Sequence, residues 1–258
     1  MSGVALEAGG LGKSFGGVSA IADVSFSVRD RSLTALIGPN GAGKTTLFNL
    51  ITNLILPDRG GVRFYGVSLA GFAPDQIARL GLLRTFQTAR VFPGMTAFEN
   101  VLVGAHRHGR AQALEQMLWW PPALRQERAL RAKAAALMEV VGLTEFREAA
   151  ATSVPMGVQK LIEMCRSLMA RPRLLLLDEP AAGLNDAETE QLAALLKALR
   201  ASDVTVLLVE HNMSLVMDVA DEVIVLDSGR IIARGAPGEI QRDPRVIEAY
   251  LGPMQGEA

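Results

Sequence analysis

The chain has 258 residues, 49% of them hydrophobic, with a formal net charge of −1 and a single cysteine. That is enough apolar material for one large core, or a core with an appended subdomain, and it excludes a disordered chain. Acidic and basic residues are mixed along the sequence, so no basic stripe recommends a nucleic-acid partner, and a lone Cys165 in an apolar helical pattern excludes a disulfide framework and suits a buried packing residue in a reducing compartment.

No apolar run reaches the roughly 18 residues of a membrane span, and the N-terminus lacks a basic region followed by an apolar core. The expectation is a protein that neither crosses a membrane nor enters a secretion pathway, yet remains able to dock on a membrane protein. From Val4 to Leu36 the pattern reads as short strands, Val4 to Glu7, Ile21 to Val28 with alternating burial, then Leu33 to Ile37, separated by glycine and polar turn residues. Phe15, in Lys13-Ser14-Phe15-Gly16-Gly17, falls between strands; its residue type suits stacking on a purine and a core position equally.

The segment Gly38-Pro39-Asn40-Gly41-Ala42-Gly43-Lys44-Thr45-Thr46 fits G-x-x-x-x-G-K-[ST] between the strand ending at Ile37 and a helix over Leu47 to Leu54. Glycines let the backbone curl until successive N–H groups point at phosphate oxygens, and the helix adds its positive end. Lys44 would reach the β- and γ-phosphates and Thr45 would hold magnesium. A ligand-free glycine turn capping a helix is the alternative, and the strand and helix on either side weigh against it.

Val62 to Tyr65 follows as a strand, then a helix with Pro74 in its first turn, then an extended run Leu82 to Phe86 ending in Gln87. From Thr88 to about Arg166 the pattern turns helical, with segments Thr96 to His106, Ala111 to Leu118, Ala123 to Val141 and Val158 to Met169; Thr96 with Glu99 forms a capping box. This reads as a helical insertion between two halves of an α/β domain. Inside it, Trp119-Trp120-Pro121-Pro122 suits a contact surface or a clasp over neighbouring helices, and His106 and His108 have no further ligand at metal spacing, which makes them solvated loop.

Leu174-Leu175-Leu176-Leu177-Asp178 reads as a fully buried parallel strand, and Asn185 with Glu188 opens a helix over Asp186 to Arg200. Val204 to Val209 is a second buried strand ending at Glu210-His211. Met213 to Val219 is helical, Val223 to Leu226 pairs with Arg230 to Ala233 across Asp227-Ser228-Gly229, and short helices at Pro237 to Gln241 and Pro244 to Tyr250 close the chain. Asp178, at the end of a buried strand, is placed to hold Mg²⁺, and Glu179 to orient or deprotonate a water for in-line attack on a γ-phosphate; a pair of acids capping the next helix is the alternative.

With these motifs in this order, the whole chain resembles the ATP-binding-cassette (ABC) ATPases. Lys13 to Gly17, Arg84-Thr85-Phe86-Gln87, Asp178 to Asn185, Glu210-His211-Asn212-Met213 and Tyr250-Leu251-Gly252 resemble the ATPases of branched-chain amino-acid importers. The resemblance implies an α/β fold: a P-loop NTPase core (1–87 and 167–258), mixed sheet with an antiparallel N-terminal β-subdomain, plus an inserted α-helical signature subdomain (88–166). It implies that Phe15 stacks on adenine, that Gln87 touches the metal or the lytic water and reports nucleotide state, and that His211 contacts the γ-phosphate.

The signature, Leu-Ser-Gly-Gly-Gln in the family, reads Val154-Pro155-Met156-Gly157-Val158 here. Pro155 offers neither hydroxyl nor N–H to the γ-phosphate bound by a second subunit, whereas Gly157 and the helix N-terminus can still face it. The implied setting is the cytoplasmic face of the cell membrane. The implied partners are integral-membrane permease subunits, a second ABC ATPase and, indirectly, an extracytoplasmic solute-binding protein, with ATP and Mg²⁺ as ligands. The alternatives are a related importer of urea, short amides or aromatic acids, or a soluble non-transport ABC switch.

Overall fold

The computed structural model describes residues 3–85, 90–105 and 121–251. Two compact units divide the chain, one spanning Met1–Arg84, Arg173–Glu179 and Lys197–Ala258, the other Thr85–Pro172 and Pro180–Leu196. The second takes in Pro180–Leu196, a stretch that the sequence pattern assigns to the nucleotide-binding core.

In the first unit, strands β1 (Val4–Phe15), β2 (Val18–Arg29), β4 (Arg59–Phe64) and β5 (Val67–Ser68) form an antiparallel sheet in the order β2-β1-β4-β5. The expected first strand is thus too short, and Phe15 ends a strand instead of lying between two. The misleading segment is Gly9-Gly10-Leu11-Gly12, which reads as a turn. In the fold it is bulged strand, with register shifts against both neighbours between Ala8 and Leu11 and between Gly9 and Gly12.

The second sheet uses β3 (Leu33–Ile37), β6 (Leu82–Arg84), β7 (Leu174–Asp178), β8 (Thr205–Val209), β9 (Glu222–Asp227) and β10 (Arg230–Gly235), in the order β10-β9-β3-β8-β7-β6. Every pairing in it is parallel except the β9–β10 hairpin. Strands β3, β7 and β8 are buried at all five positions, which is why their sequences are mostly apolar, without the alternation of a one-sided strand. Helix α1 (Lys44–Ile51) places Leu47, Phe48, Leu50 and Ile51 in the core that contains Leu36, Leu174, Leu176, Leu207 and Val209. Burying each such side chain contributes about 1.5–3 kcal/mol. Helix α2 (Pro74–Leu80) follows β5, with proline at its start.

The second unit is helical among its described residues. Its α3 (Ala97–Val103) begins as expected at Thr96, whose hydroxyl accepts from the Glu99 N–H at 3.1 Å while the Glu99 carboxylate accepts from the Thr96 N–H at 2.8 Å. Helix α4 (Pro121–Val140) and α5 (Met156–Met169) pack with it, and Val158, Leu161, Ile162 and Cys165 line the buried face of α5. Helix α6 (Asp186–Arg200) starts in this unit and ends in the first. The first unit closes with α7 (Met213–Val219), α8 (Pro237–Ile240) and α9 (Pro244–Leu251).

Candidate functional site

Parallel strands deliver their following residues to one edge of a sheet, and here that edge carries the motifs the sequence singles out. Gly38 follows β3, Asp178 ends β7 with Glu179 next, and Glu210-His211 follows β8, which lies between β3 and β7. The spacing of the motifs along the chain, more than 170 residues end to end, thus collapses into neighbouring strands.

The loop Gly38–Gly43 turns directly into α1. Gly43 takes φ 104°, a left-handed conformation that a side chain would strain, and a Cβ there would lie 2.7 Å from the Ala20 carbonyl. The loop is pinned from below: the Gly229 N–H donates to the Ala42 carbonyl at 3.0 Å, and the Ala22 N–H to the Gly229 carbonyl at 2.8 Å. No side chain caps the N-terminus of α1 and no acid stands in its first turn. Its positive end is therefore left to an anion. Gly38 and Ala42 are buried, whereas Asn40, Gly41 and Thr45 are exposed and Thr46 is half-buried.

Lys44 is 8% exposed, and its ammonium donates to the carbonyls of Gly38 at 2.8 Å and Pro39 at 3.0 Å. Burial lowers its pKa, while the nearby carboxylates of Glu179 and then Asp178 oppose that shift. Lys44 and these two acids therefore share one site. Glu179 adopts φ 48° although Pro180 follows it, a placement that holds about 1–3 kcal/mol of strain. Its N–H still donates to the Val209 carbonyl at 2.9 Å, which fixes that placement against β8. Thr45 and Asp178 supply only oxygen donors, the set a hard divalent cation prefers.

His211 has a 60% exposed side chain, held by its backbone: the fully buried Glu210 carboxylate accepts from the His211 N–H at 3.0 Å and the Asn212 N–H at 3.2 Å. Asn212 in turn caps α7 through the Leu215 N–H. Phe15 is 46% exposed, which removes the core reading, and the Lys13 ammonium stands 5.6 Å from its ring centroid. Asp58 holds this strand end, accepting from the Lys13 ammonium at 2.7 Å and the Ser14 N–H at 2.8 Å. The Lys13 bond, then the Ser14 bond, holds the Asp58 carboxyl below the usual carboxylate range.

In the second unit Pro155 is the N-cap of α5, so the helix starts at Met156, two residues before the expected start at Val158, and Met156 is 54% exposed. Gly157 is buried against α6: a Cβ on it would lie 2.6 Å from both carboxylate oxygens of Glu188. Glu188 is itself tied into the Asn185 capping box, and the Lys160 ammonium donates to the Ala182 carbonyl at 2.5 Å. The altered signature and the segment from Ala182 to Glu188 are thus mechanically joined within this unit. Gln87, His106, His108 and the Trp119-Trp120 pair lie outside the described residues.

Sequence reasoning assigned no role to Arg84, Asp58, Glu210 or Lys160. Two of them carried a signal: Arg84 is a charge at the end of the strand Leu82-Leu83-Arg84, and Glu210 abuts the apolar run Val206 to Val209. Tyr250 of α9 belongs to a segment that the sequence marks only by resemblance. It lines a cavity of about 400 Å³ with Ile37, Met213, Met217, Val246 and Ile247.

Residues 21–182 match the family model described as ABC transporter, and residues 230–252 the one described as branched-chain amino acid ATP-binding cassette transporter. The chain is 45% identical to the high-affinity branched-chain amino acid transport ATP-binding protein BraF of Pseudomonas aeruginosa, over 98% of this chain and 99% of that protein. It is 40% identical to LivG of Escherichia coli K12, which carries the same description, over the same shares. Among solved structures it is similar to the ADP conformation of an ATP-binding cassette of an ABC transporter, with TM-score 0.80 and 32% identity over 96% of this chain and 99% of that one. A nucleotide-free cassette matches with TM-score 0.77 and 30% identity over the same shares.

Proposed function

This chain belongs to the ABC transporter family, and from that premise we propose that it is the ATPase subunit of an importer for branched-chain amino acids, acting from the cytoplasmic face of the membrane on separate permease subunits. The observation that carries the reading is the meeting of Lys44, Asp178 and Glu179 at one edge of the parallel sheet. The relatives' printed descriptions support the cargo.

In this reading the α1 amides and Lys44 grip the phosphate tail of ATP, Phe15 stacks on the adenine, and the loop residues Gly38 to Thr46 shape the cradle. Thr45 and Asp178, with Gln87, would hold Mg²⁺, which when bound offsets the charge on the phosphate oxygens. Glu179 orients the attacking water and accepts its proton, and His211 donates to the γ-phosphate. A second ABC ATPase supplies its signature to this site and receives Pro155, Met156 and Gly157 in exchange. Because Pro155 lacks a donor, a partner with an intact signature makes the site built on Lys44 the stronger hydrolytic one. Glu179→Gln, compared with the matching change in the partner, tests that: equal losses of turnover remove the asymmetry.

The test of the whole reading is affinity purification of the chain from solubilised membranes, followed by identification of its companions. Recovery of integral-membrane subunits, a second ATPase and leucine-dependent ATP turnover with a solute-binding protein is expected. Recovery with soluble macromolecules alone would overturn it.

A further inference from the structure

We infer that Arg84 is a positioning residue for Asp178, setting the separation between the two elements that carry the magnesium donors. The inference rests on the proposed role of Asp178 and Thr45. Asp178 is 4% exposed, and a carboxylate buried that deeply needs a cation beside it. Lys44 is near, but in the proposed reading its ammonium turns to phosphate oxygens. Arg84, at the end of β6, is the cation that stays: its side chain is 10% exposed, and one terminal nitrogen donates to Asp178 Oδ2 at 2.7 Å.

The other arm of the fork decides what this contact does. It donates to Asn49 Oδ1 at 2.6 Å, while the guanidinium lies 5.5 Å from the Phe48 ring centroid. Asn49 stands four residues after Thr45 on α1 and therefore on the same helix face. Arg84 thus clamps α1 to the end of β7, and with them Thr45 to Asp178. Magnesium demands near-ideal octahedral geometry, so a clamp between two donor-bearing elements acts on metal affinity. A residue present only to neutralise buried charge needs no fork, and lysine would serve.

Arg84→Lys separates the two roles. With full-length protein and a fluorescent non-hydrolysable ATP analogue, affinity is measured in EDTA and then as magnesium is titrated. The expected result is metal-free affinity within about twofold of wild type and a magnesium half-saturation raised about tenfold or more, the usual scale for residues that orient metal ligands. Asn49→Leu, which keeps the charge pair and removes the second anchor, shifts it in the same direction and carries the test if Arg84→Lys does not fold. A half-saturation within about twofold of wild type overturns the inference, as does an equal loss of affinity in EDTA. Asp178→Asn is measured alongside: if it too leaves the magnesium requirement unchanged, the proposed metal site fails and not the clamp alone.

Discussion

Replacing Lys44 by alanine removes an ammonium held between two carbonyls, Gly38 at 2.8 Å and Pro39 at 3.0 Å. Hydrogen bonds to charged groups contribute about 1.5–3 kcal/mol each. In the proposed reading, binding ATP does not add such bonds to a free lysine; it exchanges carbonyl acceptors for anionic phosphate oxygens. The gain is the difference between the two sets, which we place at about 1.5–3 kcal/mol in total, or about 10- to 150-fold in dissociation constant. The fold should tolerate the change, because burial already disfavours the charged lysine there and alanine is a strong helix former. Calorimetric titration of Mg-ATP into both proteins, with unfolding midpoints recorded on the same samples, reads the effect. Affinity within about threefold of wild type in a folded Lys44→Ala protein would refute the assignment of this loop as the phosphate cradle.

Glu179→Gln should keep nucleotide affinity while lowering single-turnover hydrolysis by about 10²- to 10⁴-fold, the range for a positioned general base; parallel loss of binding would assign Glu179 to structure instead. Gly157→Ala should force the Glu188 carboxylate away from a methyl that would stand 2.6 Å from it, disturbing the Asn185 cap. Denaturation of the single variants and of Gly157→Ala with Glu188→Ala checks this: the double variant should be more stable than the summed single losses, and simple additivity would show that the two do not interact. Cys165 is buried, and desolvation raises its thiol from 9.0 to about 12. The folded state therefore keeps a proton that the unfolded chain releases above 9.0, so stability falls as pH rises across that window, by about 1.4 kcal/mol between about pH 8 and about pH 10. Urea midpoints of wild type and Cys165→Ala at the two pH values should diverge by that amount, and parallel curves would contradict it.

What the sequence makes legible is local. The phosphate loop is written in consecutive residues, β7 and β8 in unbroken apolar runs, and the starts of α3 and α6 in Thr96 with Glu99 and Asn185 with Glu188, each pair three residues apart. The failures share a cause as well. Gly9 to Gly12 looks like a turn because glycine is as permissive in a bulge as in a turn, and only the neighbours β2 and β4 decide between them. The start of α5 is hidden because proline and methionine at Pro155 and Met156 give no side-chain cap to read.

The site divides in the same way. The groups proposed to meet nucleotide stand in short motifs, but the groups that hold them come from far along the chain: Arg84 reaches Asp178 across 94 residues, and Asp58 reaches Ser14 across 44. No local pattern encodes such a pairing. Burial makes it obligatory nonetheless, since a charge set into or against an apolar strand must find a partner or lose its charge. A sequence can therefore say that Arg84 and Glu210 need partners, because Leu82-Leu83 and Thr205 to Val209 surround or precede them with apolar residues. Which partner each finds depends on strand order, and placing β8 between β3 and β7 is what brings the cradle, the two acids and the histidine loop to one edge.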